Sequence, residues 1–191
     1  MVIFILLIII FGITAFFLLN STTNNIDKRM DELAVLFHGK KTAGEAFTSQ
    51  YSNGLTFSHS GFEIELSVFW QRVYSLEITL LKKNDFEFIA YEKSRDYEDS
   101  KTLKMKLLEI SDMGLSNFRV YSKDEAVSGR IINASSSLEL LAQKGFTTTE
   151  ATSHFLKSGK TAPDIDADLR PENVKFIIER LADIQKNLQA R

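Results

Sequence analysis

The sequence predicts an α+β protein: an N-terminal transmembrane helix, then a mainly antiparallel sheet of about six strands packed by short helices and a C-terminal helix. Three observations predict it. Residues 1–19 form an unbroken apolar run, much of the stretch from Leu55 to Tyr121 alternates apolar with polar side chains, and Pro171 to Leu188 carries one apolar stripe at helical spacing. The implied organisation is a transmembrane anchor over 1–19, a polar spacer and amphipathic stalk helix over 20–43, and a single α+β domain over 44–191.

The run MVIFILLIIIFGITAFFLL holds no charge, and only Thr14 has a polar side chain. As a helix it covers roughly 28 Å, about the thickness of a bilayer's hydrocarbon layer. A cleaved signal peptide needs a basic start and small residues before the cut, and Leu18, Leu19 and Asn20 do not supply them. The expected localisation is therefore single-pass in a membrane, with the lipid bilayer as partner of residues 1–19. Lys28, Arg29, Lys40 and Lys41 all follow the run, which places the domain on the cytoplasmic side.

Asn20 to Asn25 reads as an interfacial spacer. Ile26, Met30, Leu33 and Phe37 then recur at helical spacing, so a stalk helix is expected to pack on the domain or pair with the same helix of a second copy. Strand periodicity follows. Leu55 and Phe57 lead through Ser58-His59-Ser60-Gly61 into Phe62, Ile64, Leu66 and Val68, which predicts a hairpin. Leu76, Ile78 and Leu80 repeat the pattern, Phe86 to Tyr91 is apolar on both faces, and Leu103–Ile110 and Phe118–Tyr121 complete the sheet.

Beyond Ser122, Asp124 is placed to cap a short helix carrying Ala126, Val127 and Ile131 inward. Ser136 and Glu139 fit a capping box for the next helix, which Gly145 would stop. Phe146 to Phe155 predicts a weak hairpin from its threonines. The last helix has Pro171 in its first turn, Glu172 at its positive end, and Val174, Ile177, Ile178, Leu181, Ile184 and Leu188 on one side.

Chemistry-bearing motifs are sparse. The charge of -2 is spread among both signs, so a nucleic-acid partner is not expected. The chain has no cysteine, which excludes disulfides and thiolate metal sites. Asp164, Asp166 and Asp168 open like a calcium loop, but Leu169 stands where glycine is needed and Lys175 where the bidentate glutamate belongs, leaving a solvated acidic loop. His38, His59 and His154 lie far apart, and Ser58-His59-Ser60 reads as a turn rather than a nucleophile with its base. No phosphate-binding glycine motif occurs, and no cofactor or catalytic residue is assigned. Trp70, Arg72 and Tyr74 form the candidate interaction surface, an aromatic pair beside a cation at a strand junction.

FRVYSKDEAVSGRII, from Phe118 to Ile132, contains an F-x-V-x-S-x-D strand end, and RPENVKFIIERLADI closes the chain after a short leucine helix. This last third resembles bacterial membrane-anchored proteins of unknown function. The resemblance implies a bacterial source, which makes the expected membrane a bacterial inner membrane, and an anchored α+β domain, and it brings no site residues. The function expected from the sequence is a non-enzymatic protein-interaction or accessory module with a protein partner. The alternative is a small-ligand or lipid-sensing domain, with a pocket between the sheet and the Pro171 helix.

Overall fold

The structure, a computed structural model, describes residues 2–43, 52–70, 72–94, 102–110 and 113–189. Its first element corrects the anchor expected from the sequence. Residues Val2–Phe37 form one helix, α1, of 36 residues, and the polar stretch 20–25 continues it without a break. Asn, Ser and Thr each cost a helix interior only about 0.5 kcal/mol, too little to stop a helix held by packing further along.

Among the described residues, no helix is long and apolar enough to cross a membrane. The transmembrane helix, the single-pass character and the inner-membrane localisation with a cytoplasmic domain are therefore not supported. The apolar run is instead the leading half of a helix whose other half belongs to the core: Ile26, Met30, Leu33 and Phe37 are buried there.

The sheet is also larger than the expected six strands. Nine strands, β1 (Lys40–Ala43), β2 (Ser52–His59), β3 (Phe62–Trp70), β4 (Tyr74–Leu81), β5 (Phe88–Glu92), β6 (Lys106–Leu107), β7 (Phe118–Ser122), β8 (Thr148–Ala151) and β9 (Phe155–Thr161), make one sheet. Their order is β1-β2-β3-β4-β9-β8-β5-β7-β6, and each pairing is antiparallel.

The expected weak hairpin is β8–β9, and it sits near the middle of the sheet between β4 and β5. Its polar sequence hid it. Thr149 and Ser158, both buried, satisfy each other at 3.2 Å, and the Ser158 hydroxyl also donates to the Thr148 carbonyl at 2.9 Å. The expected strand over Leu103–Ile110 shrinks to the two residues of β6, preceded by a 3-10 turn over Thr102–Lys104. The β2–β3 hairpin turns through Ser60 and Gly61, both at positive φ (53° and 80°), the two-residue geometry that matches strand twist.

One face of the sheet is covered. Ile64, Leu66 and Val68 of β3, Leu76, Ile78 and Leu80 of β4, and Leu156 of β9 are fully buried with the helices. Helix α1 lies against β2, and α5 (Pro171–Gln189) against β4 and β9; α2 (Val127–Asn133) and α3 (Ser135–Gln143) rest on α5. The α5 stripe is buried as its periodicity predicts.

Capping departs from expectation. Asp124 accepts the Ala126 N–H at 2.9 Å ahead of α2, and α3 starts directly from Ala134, so Ser136 lies inside its first turn and no side chain caps it. Gly145 does end the α3 segment, with φ +83°.

Candidate functional site

The β3–β4 hairpin brings two of the three expected surface residues together. Trp70 pairs with Tyr74 across the strands, on the same face as Val68 and Leu76, and Arg72 stands exposed in the turn between them. Tyr74 is not an outward reader. Its hydroxyl lies 3.1 Å from Thr23 Oγ1 on α1, which fastens the hairpin where the helix enters the domain. Val73, at 46% exposure, was not singled out from the sequence and is the exposed apolar tip of this turn.

The acidic triplet is spent on structure rather than on a cation. Asp164 caps the one-turn helix α4 (Ile165–Asp168), accepting the Ala167 N–H at 3.1 Å. Asp166 takes two bonds from the Arg29 guanidinium, at 2.8 and 3.2 Å, so Arg29, followed by Asn25, holds its carboxyl below the usual carboxylate range. Asp168 is not solvated: it is buried, with Lys160 Nζ at 2.8 Å from both carboxylate oxygens and the Asp164 N–H donating to Oδ2 at 2.8 Å. Among the described residues, no group of histidine and carboxylate side chains is arranged to hold a metal ion.

The histidines stay dispersed. His59 ends β2 and meets the Phe37 ring edge-on at 5.7 Å, His38 closes α1, and His154 lies in the β8–β9 turn. On the face opposite the helices, Lys157 bridges Glu77 at 3.1 Å and Glu150 at 3.7 Å beside a shallow hollow of about 130 Å³ at Gly159.

The feature that sequence reading missed lies at the β6–β7 edge. Leu108 N–H donates to the Val120 carbonyl at 2.8 Å, and β6 pairs only with Tyr121 and Ser122. Backbone groups alternate along an antiparallel strand, so Phe118 points its N–H and C=O the same way as Val120. Among the described residues, nothing bonds them. Beside that edge is a hollow of about 260 Å³ lined by Leu107, Leu108, Ile110, Leu115 and Phe118. Arg119 stands exposed at its rim, without a carboxylate partner among the described residues, and Leu107 is 54% exposed. The one available sequence signal was the shortness of the run after Lys104, which is too broken for a full strand.

The fold is therefore an antiparallel α+β sheet with helices on one face and a short-stranded edge. Its likeness is to the crystal structure of the mycobacterial trehalose monomycolate transport factor A, TtfA, with a TM-score of 0.65 at 9% sequence identity, covering 86% of this chain and 94% of that one. That likeness is one of fold. No protein-family model and no curated protein sequence matches the chain.

Proposed function

We propose that this chain is a non-enzymatic accessory module that works by binding another protein, and that an extended segment of the partner adds to the sheet at the β6–β7 edge. The observation that carries the reading is the Phe118 backbone, left unbonded along the β7 edge among the described residues, beside the hollow lined by Leu107, Leu108, Ile110 and Leu115. Strand addition needs both parts: main-chain groups for affinity and a hollow for alternate side chains. Around the hollow the two cations Lys93 and Arg119 outnumber Glu109, which favours a segment carrying acidic residues. The employment of Asp164, Asp166 and Asp168 in capping and ion pairs supports binding over catalysis.

The shared fold of a protein named as a lipid-transport factor supports an accessory role next to lipid-handling machinery as the setting. A lipid held under the Pro171 helix is less well supported. The space between α5 and the sheet is filled by Val174, Ile177, Ile178 and Leu181 against Leu76, Ile78 and Leu80.

The test places a photo-crosslinking residue at Leu107 of the full chain in its native cells, with Val35, exposed on α1, as the comparison site. A discrete crosslinked product from Leu107, lost with Arg119→Glu, is the expected result. Equal products from both sites, or none from Leu107, would remove the edge as a docking place.

A further inference from the structure

The leading half of α1 and the β3–β4 turn meet at one level of the molecule. From Val2 to Ile26 the helix carries no ionisable side chain, the first being Asp27. Phe4, Ile10, Phe11 and Ile13 are exposed at 69, 58, 77 and 53%. At about 100° per residue these four spread over roughly half the helix circumference rather than along a stripe. A protein groove covers a stripe, whereas an apolar phase accommodates a broad face.

Where this half of α1 joins the domain, the Tyr74 hydroxyl touches Thr23 and the turn presents Trp70, exposed Arg72 and exposed Val73. Ring side chains with one polar end settle at the headgroup layer of a lipid surface, and a cation beside them complements anionic phosphate.

We infer that the Trp70–Tyr74 turn and the apolar half of α1 together form a contact with an anionic lipid surface. Trp70 and Val73 sit at its upper acyl region and Arg72 on headgroup phosphate. Contact with a lipid surface draws here on apolar area at the helix and on the aromatic and basic side chains at its base, not on a crossing length. It is separate from the β6–β7 edge and stands or falls without it.

Trp70 is the chain's single tryptophan, so its emission reports this turn directly. The full-length protein, purified in detergent, is diluted into phosphatidylcholine vesicles with or without phosphatidylglycerol, some carrying bromine at defined acyl depths. The expected result is a blue shift of Trp70 emission, with stronger quenching by bromine near the headgroup than at the chain end. Arg72→Glu is expected to weaken binding to phosphatidylglycerol vesicles at least about fivefold, the worth of one basic residue at an anionic surface. Val73→Asp, checked as folded by circular dichroism, is a second variant expected to reduce the quenching.

Vesicle flotation without Trp70 quenching would overturn the role of the turn, and no flotation would overturn the whole contact. A Trp70 shift that follows protein concentration instead of lipid would assign the face to a second copy and also overturn it.

Discussion

Gln185 and Asn84, 101 residues apart, meet through a hydrogen bond from Gln185 Nε2 to Asn84 Oδ1 at 2.7 Å. Gln185 is fully buried on α5. Asn84 in turn donates to the carbonyls of Thr152 (2.7 Å) and Phe155 (3.0 Å), and its own N–H reaches the Ser153 carbonyl at 3.1 Å. The pair thus ties the β4–β5 connection and α5 to the β8–β9 hairpin inserted between those strands. Asn84→Ala is expected to lower unfolding stability by about 2–3 kcal/mol, because buried acceptors and the Gln185 amide lose their partner. Gln185→Met should cost about 1–2 kcal/mol, and the double variant less than the sum, since both remove the same bond. Urea unfolding of the four proteins checks this; strict additivity would disprove the coupling.

The Lys160–Asp168 pair, at 2.8 Å and largely shielded from water, holds α4 against β9. Lys160→Met is expected to destabilise by about 2–4 kcal/mol, since removing one partner leaves the Asp168 carboxylate shielded from water with only the Asp164 N–H. Replacing both residues, as Lys160→Met with Asp168→Leu, should recover part of that loss. Thermal unfolding of the single and double variants distinguishes the pair from simple packing.

Arg29 and Asp166 give a pH signature. Asp166 is held below the ordinary carboxylate value chiefly by its hydrogen bond with Arg29, so its contribution is present above the unfolded carboxylate range. It disappears as pH falls through the depressed folded value. The stability difference between the native chain and Asp166→Asn should therefore be seen at neutral pH and vanish in acid. Denaturation series at several pH values measure it, and a difference that persists below the carboxylate range would refute the assignment.

Two turn positions respond in opposite directions. Gly145→Ala forces a side chain onto φ +83° with its Cβ 3.0 Å from Lys160 Cε, and should cost about 1–2 kcal/mol. Ser60, at φ +53°, occupies a conformation that asparagine or glycine adopts more easily, and Ser60→Asn should gain a few tenths, up to about 0.5 kcal/mol. Melting temperatures of the two variants should move apart.

Local pattern by itself determined the elements whose environment is uniform along their length. The α5 stripe, the Ser60-Gly61 hairpin, the doubly buried β5 and the Gly145 stop all follow from periodicity or backbone freedom, because each needs only its own neighbours to be recognised. The sequence also showed that Asp164, Asp166 and Asp168 depart from a calcium loop at Leu169 and Lys175.

Tertiary structure alone decided the rest. That the apolar run and the stalk are one helix depends on the packing that buries Ile26, Met30 and Leu33 against the β2 side of the domain, not on the residues between them. The insertion of β8–β9 into the middle of the sheet rests on Thr149 and Ser158 satisfying each other across the hairpin and on Asn84 reaching its carbonyls from the β4–β5 connection, pairings that the polarity of these residues does not announce locally. The same holds for the candidate binding edge: it exists because β6 stops two residues into its pairing with β7, and a strand's missing neighbour leaves no mark in its own residues.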